Sequence, residues 1–269
     1  MAVFFFVTPA DENKTAISPL SVHFRGKSKM KDHLNWQYDE FKQVGKDYSL
    51  PAEVEVYDSS HADFRDLEKE SNDVLDDLAV GKNDILIDFG SGTGSFAIQA
   101  ARRCTKVYAV DISTAMIEYA KAKAAKAGLS NIEFCHGGFL SYNHQDQAVD
   151  AIVTTFAFHH LPDFWKGIAL SRMNRMLKFG GQLFIKDIIL KEEYAPQNIA
   201  AFIEKQAAVG GDFLRKDAED HFKEEYSTYD WIMDGLLSRA GFEIKSKSMD
   251  AGVIGEYLCT KNIDSAPSG

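Results

Sequence analysis

Hydrophobic positions along this chain switch between a helical and a strand period, most regularly between residues 62 and 190. From Ala62 to Leu78, the residues Phe64, Leu67, Ser71, Val74, Leu75 and Leu78 recur at helical spacing, which predicts an amphipathic helix stopped by Gly81. Ile85-Leu86-Ile87-Asp88-Phe89 then reads as a strand covered on both faces, as parallel strands are. It runs into Gly90-Ser91-Gly92-Thr93-Gly94 and a helix-compatible segment, Ser95 to Arg103. The alternation continues with a strand over Lys106–Val110 ending at Asp111. A helix capped by Ser113 or Thr114 follows through Ala127, with Gly128 as its C-terminal stop. Strands are expected at Asn131–Cys135, Asp150–Thr155 and Gln182–Lys186, the last entered through Gly180-Gly181 from a helix over Asp163–Leu177. Strands separated by helices of this length argue for parallel pairing through right-handed crossovers.

Outside that region the pattern changes. Lys191–Glu225 is polar and helix-rich, punctuated by Pro196, Gly210 and Gly211, and is too long for an ordinary connection, so it reads as an insertion. Ser227-Thr228-Tyr229-Asp230 matches a capping box opening a helix through Arg239, with Trp231, Ile232 and Leu236 on its buried face and Gly241 as its stop. Phe242–Met249 and Val253–Thr260 read as strands joined by Asp250-Ala251-Gly252 in an antiparallel hairpin. Residues 1–56 are weakly patterned apart from Phe4-Phe5-Phe6-Val7 and a helical surface within Lys27–Phe41, and read as an N-terminal arm or lid. The domain proper is expected over 57–261, with a helical cap insertion at about 190–226 and a disordered tail at 262–269. No internal repeat is visible.

Composition narrows the partners. A chain of 269 residues with 45% hydrophobic content can bury a substantial core. A net charge of −10 without a long basic run makes an extended nucleic-acid backbone a poor partner. The three cysteines, Cys104, Cys135 and Cys259, are widely spaced and show neither a disulfide framework nor a zinc pattern, so no metal ligand set is read and a reducing, cytoplasmic setting is the default. Met1–Val7 is too short for a secretion signal, and no stretch approaches the roughly 20 apolar residues that span a bilayer. Monomer and homodimer both stay open.

The chemistry gathers at strand ends. Three glycines in five positions allow a sharp turn and a close backbone approach to a ligand. Their spacing is GxGxG, distinct from the dinucleotide GxGxxG, and no lysine followed by serine or threonine completes a P-loop. Asp111, at the end of the next strand, offers two acceptors in a geometry that matches a ribose diol. Its bland alternative is a helix-capping role before Ile112-Ser113.

Taken in series, Asp88-Phe89-Gly90-Ser91-Gly92-Thr93-Gly94, Val110-Asp111-Ile112-Ser113 with Met116, Asp150-Ala151-Ile152-Val153 with Phe158-His159-His160-Leu161-Pro162, and Met176-Leu177-Lys178-Phe179-Gly180-Gly181-Gln182-Leu183 resemble the class I S-adenosylmethionine-dependent methyltransferases. Within them the chain looks like the small-molecule branch that includes the ubiquinone and menaquinone biosynthesis enzymes. The resemblance implies an α/β, Rossmann-like, mostly parallel seven-stranded sheet with helices on both faces and the C-terminal antiparallel hairpin. It implies S-adenosylmethionine as cofactor and a small-molecule acceptor reacting through O, N, S or C.

Carried over by position, Gly90, Ser91, Gly92 and Gly94 would lie along the methionine part of the cofactor, with Asp88 near its amine. Asp111 would hold the ribose, Ile112 and Met116 would pack on adenine, and Thr155 and Phe156 would border the sulfonium. The family places an acid after the third strand to meet the adenine amine, whereas this chain has Gly138, leaving Phe139 to offer a backbone N–H and a ring face. His159 and His160 are candidate bases, His160 being preferred, against a structural reading of the pair. In the insertion, Tyr194, His221, Tyr226 and Tyr229 are candidates to face the substrate. The competing readings are a non-catalytic S-adenosylmethionine-binding module and an NAD-dependent enzyme.

Overall fold

The computed structural model describes residues 36–42, 54 and 66–262; the apolar run Phe4–Val7, most of the helical surface within Lys27–Phe41, the start of the helix at Ala62 and nearly all of the 262–269 tail lie outside them. Chain contacts divide the protein into a unit over Met1–Gln37 and a body over Tyr38–Gly269, and the description below concerns the body.

The body alternates strand and helix as the hydrophobic pattern requires. Helix α1 (Leu67–Asp77) begins where the Asp66 side chain accepts the Lys69 N–H, and it buries Ser71, Val74 and Leu75. Then follow β1 (Ile85–Phe89), α2 (Ser95–Ala101), β2 (Lys106–Asp111), α3 (Thr114–Lys126), β3 (Ile132–His136) and β4 (Val149–Thr155). A short 3-10 turn, Phe158–His160, leads into α4 (Asp163–Met176) and the long strand β5 (Leu177–Leu190). The chain continues through α5 (Ala195–Glu224), β6 (Thr228–Tyr229), α6 (Asp230–Arg239), β7 (Phe242–Asp250) and β8 (Ile254–Lys261). Of the two caps considered for α3, Ser113 is the one used: its side chain accepts the Met116 N–H, and Gly128 closes the helix at φ 72°.

Seven strands stand in the order β3-β2-β1-β4-β5-β8-β7, and the two-residue β6 pairs with β5 as an eighth. Pairings among β1 to β5 are parallel, and β8 runs antiparallel to both β5 and β7, giving the expected hairpin. The order reverses between β1 and β4, so their C-terminal ends diverge and leave a crevice. Both faces of the sheet are covered. Ile85, Ile87 and Phe89 of β1 pack into one core with Tyr108, Val110 and Leu170, while Leu86 faces a second core with Val107, Ala109, Phe96 and Leu75. That split explains why β1 reads as a continuous apolar run rather than an alternating one.

Three local expectations are corrected. The capping box at Ser227 does not form: α6 starts at Asp230 with no side-chain cap, the Ser227 hydroxyl pairs instead with His221 Nε2 at 2.8 Å, and Thr228-Tyr229 pairs with Ile189-Leu190. Trp231 is 55% exposed and stacks on Tyr229, because the inward face of α6 carries Met233 and Leu237. Gly180, at φ 75°, lies inside β5 and does not mark its start. In the insertion, Gly210 and Gly211 leave helical geometry and kink α5 between its two arms.

Candidate active site

The turn after β1 follows from its glycines. Gly90, Gly92 and Gly94 have φ of 71°, 50° and 76°, a left-handed backbone that side chains resist. A Cβ on Gly90 would lie 2.3 Å from the Ala157 Cβ, and one on Gly94 would lie 2.9 Å from the Ala120 Cβ. The glycines therefore let the loop lie against the β4 turn and against α3. The Gly90 and Ser91 amides both donate to the Val110 carbonyl, which fixes the loop over the end of β2.

Around this loop lies a two-lobed cleft. One lobe, of about 840 Å³, is lined by Asp111, Ile112, Met116, Gly138 and Phe139, with Glu40, Ala157 and His160 at its margins. The other, of about 700 Å³, is lined by Asp88, Ser91, Thr93, Thr155 and Lys186. Gly90, Gly92 and Phe156 border both lobes and form the waist between them. Phe156 holds a left-handed φ of 50° there, with its amide donating to the Lys186 carbonyl at 2.8 Å. A non-glycine residue kept in that conformation marks a position fixed by its surroundings.

Carboxylates line the cleft from end to end. Asp88 is 2% exposed, and its Oδ2 has no hydrogen-bond partner. Burial, followed by the nearby Asp111, pushes the Asp88 carboxyl up to about 8. The Ser91 hydroxyl is also buried and unpartnered. Asp111 accepts the Gly92 amide at Oδ2 and the Ser113 amide at Oδ1, both at 2.8 Å. Burial raises the Asp111 carboxyl, and those amides pull it partly back. The helix-capping alternative for Asp111 is thus half met, since it anchors the turn that precedes α3. One lone pair on each of its oxygens is left uncommitted by these two bonds.

The acid missing after β3 has a substitute. Gly138 donates its amide to the Ser141 hydroxyl, and a Cβ at this position would come within 2.6 Å of Glu40 Oε2. Glu40 is 8% exposed and accepts the amides of Leu140 and Ser141 at distances from 2.6 to 3.1 Å. A carboxylate from the chain's N-terminal part therefore fills the space a side chain at 138 would take. The Phe139 ring stacks on Phe89 at 5.2 Å and meets Phe158 edge-on, and the residue lines the lobe.

The two histidines separate. His159 lies outside the cleft lining, with Nδ1 2.5 Å from Asp187 Oδ1 and Nε2 3.1 Å from Glu225 Oε2. Burial alone would lower His159, but Asp187 and Glu225 outweigh it and raise the imidazole above its usual range. Asp187, also buried, is held at about 2 by His159 and by the Ile188 amide. His160 faces the cleft, its backbone carbonyl accepts the Tyr38 hydroxyl at 3.1 Å, and its ring nitrogens have no hydrogen-bond partner among the described residues. Burial and the adjacent His159 push His160 down to about 4, which keeps it neutral.

None of the four substrate candidates lines either lobe; His221 and Tyr226 lie behind the cleft, beside His159 and Tyr38. His221 Nδ1 is 2.5 Å from Glu225 Oε2, and the Tyr226 ring meets Tyr38 edge-on at 6.1 Å. The segment is pinned by the Tyr226 amide to the His159 carbonyl and by the buried Lys166, which reaches both the Tyr226 carbonyl and Asp163. Tyr194, 65% exposed, and Tyr229, stacked on Trp231, line neither lobe. Sequence reasoning missed Glu40, Asp187 and Glu225. Asp187 had a usable signal, an acid near the end of a buried parallel strand; Glu40 and Glu225 had none of their own.

Comparison with known proteins agrees with this geometry. Residues 86–181 match the model of a methyltransferase domain. An uncharacterized methyltransferase of Geobacillus kaustophilus is 29% identical over 215 residues, covering 80% of this chain and 93% of the relative. An S-adenosylmethionine-dependent methyltransferase structure from Aquifex aeolicus superposes with a TM-score of 0.55 at 22% identity, over 79% of this chain and 98% of that one. Magnesium protoporphyrin IX methyltransferase of Synechocystis, solved with bound cofactor, gives 0.51 at 15% identity over 72% and 79%. The motif series from Asp88 to Leu183, the sheet order and these likenesses all support a class I S-adenosylmethionine-dependent methyltransferase.

Proposed function

We propose that the protein transfers the methyl group of S-adenosylmethionine to a nucleophile of a small-molecule acceptor and releases S-adenosylhomocysteine. The observation that carries this reading is the row of buried carboxylates Asp88, Asp111 and Glu40 along one cleft at the sheet's reversal point. Asp88 Oδ2 and Ser91 Oγ, buried and unpartnered, suit the ammonium and carboxylate of the methionine end. Asp111 suits the ribose diol, and Gly92, where a Cβ would meet nothing within 4 Å, leaves open space for a ligand beside the loop. Ile112 and Met116 form the apolar wall for adenine, Glu40 meets its exocyclic amine beside Gly138, and the Phe139 N–H faces the ring edge. Thr155 and Phe156 border the sulfonium at the waist.

When bound, the cofactor supplies a methyl group already activated by its sulfonium. The chain's own part is alignment and exclusion of water. His160 stands beside Phe156, Ala157 and Leu161, where the acceptor arrives, with a neutral imidazole able to take a hydrogen bond or a proton. The net charge of −10 suits a small acceptor better than a nucleic acid. The test is to incubate the protein with methyl-labelled S-adenosylmethionine and a fractionated cell extract. Label is expected in the small-molecule fraction. Label confined to nucleic acid or protein overturns the acceptor class, and cofactor binding without any transfer overturns the activity.

A further inference from the structure

The acceptor end holds a cluster that methyl transfer does not require. The ligating atoms of His159, His160 and Glu225 all lie within 4.8 Å of one another. The His159 and Glu225 side chains are nine-tenths buried. His221 closes the fourth side, 2.5 Å from the same Glu225 oxygen.

We propose that His159, His160 and Glu225 form a binding site for a divalent transition-metal ion, with His221 set against the Glu225 carboxylate. The directions of the lone pairs support it. Glu225 Oε2 is 3.1 Å from His159 Nε2, yet this buried oxygen makes no aligned hydrogen bond. The same oxygen also stands 2.5 Å from His221 Nδ1, so an ion drawn to it would compete with a ring–carboxylate contact. Two ligands about 2.1 Å from a metal at tetrahedral to octahedral angles stand roughly 3.0–3.4 Å apart, so the observed 3.1 Å fits.

The surroundings have the form metal histidines take. His159 directs Nδ1 at Asp187, which holds a proton on Nδ1 and leaves Nε2, once a metal displaces its proton, as the ligating atom beside Glu225. Asp187 is itself held by the amides of Phe158, His159 and Ile188, so this orientation is rigid. His160 keeps both ring nitrogens without a hydrogen bond among the described residues. Two imidazoles and one carboxylate are a borderline donor set that selects zinc, cobalt, iron or manganese over calcium and magnesium. His160 also lines the cleft, so an ion here reaches the space where the acceptor stands.

The experiment uses tag-free, chelator-stripped full-length protein titrated with Co²⁺ and Zn²⁺, read by cobalt d–d absorption and by calorimetry, with no turnover required. One ion per chain is expected, with a ligand-field spectrum displaced by zinc. His160→Ala and Glu225→Gln should each weaken binding at least ~100-fold, and Asp187→Asn by roughly 10–100-fold. His144→Ala, a histidine outside the cluster, should leave it unchanged, and S-adenosylhomocysteine binding serves as the check that each variant is folded. Absence of a stoichiometric site in stripped wild-type protein, or binding that survives both His160→Ala and Glu225→Gln, overturns the proposal. Neither result bears on how the cofactor is held.

Discussion

The two ends of the cleft are built on different plans. At the cofactor end, Asp88, the glycine turn, Asp111 and Ile112 sit within a few residues of the ends of adjacent parallel strands, so each side chain is placed by the strand it follows. At the other end, Tyr38, His159, His160, Asp187, His221 and Glu225 come from segments far apart in the chain and are joined by contacts across β5, α5 and the turn after β4. The first plan is local and tolerates little change. The second depends on long-range contacts and can be altered piece by piece, which is how one fold comes to serve many acceptors.

The sharpest way to break this comparison is at Asp111. If the cofactor end is as localised as its geometry indicates, Asp111→Ala should remove two charge-assisted hydrogen bonds and cost about 3–5 kcal/mol of S-adenosylhomocysteine binding, readable by calorimetry. Asp111→Asn should cost less, because its amide still accepts one hydroxyl. Gly90→Ala tests the same region through stability. Its Cβ would overlap Ala157 at 2.3 Å and take on a strained φ of 71°, so a loss of about 2–4 kcal/mol is expected in chemical denaturation. Unchanged stability would mean the β4 turn moves freely against the loop.

This division also decides what could be read from the sequence. The strands, the glycine turn and Asp111 were legible because their function rests on spacing within one strand–turn–helix unit. The separation of His159 from His160 was not, because it depends on which ring meets Asp187, a partner that only the sheet brings near. The Ser227 capping box was misread for the same reason: a valid local motif lost to a bond with His221 and to the pairing of β6 with β5. Trp231 shows it again, since its helix turns Met233 and Leu237 inward. Glu40 left one indirect trace, a glycine at 138 where an acid was expected.

A smaller effect separates the ends by pH. The folded Asp88 carboxyl at about 8 lies above its unfolded value of 3.8, so the folded state holds the proton more tightly and stability falls as pH rises from about 4 to about 8. A bound ammonium reverses the preference. S-adenosylhomocysteine affinity should therefore rise by up to about tenfold per pH unit between pH 6 and 8 and level off above, with close to one proton released per ligand at pH 7. Calorimetry in buffers of different ionisation enthalpy measures that proton directly. Asp88→Asn should abolish both the slope and the release; a slope that persists would place the titrating group elsewhere, in the acceptor half.

The smallest predicted effect tests whether the cofactor end is wholly local, since Glu40 enters it from the distant N-terminal part of the body. Glu40→Ala should weaken cofactor binding by about 1–2 kcal/mol, through one lost hydrogen bond to the adenine amine and a looser Leu140–Ser141 turn. Gly138→Asp alone should also weaken it, because the new side chain would enter the space held by the Glu40 carboxylate, 2.6 Å from where its Cβ would stand. Combined, the two changes move the acid from one segment to the other. The double variant should bind more tightly than either single one, giving a coupling of about 1–2 kcal/mol in a double-mutant cycle. Additive losses would show that Glu40 serves only to cap the turn, and that the adenine amine is left to solvent.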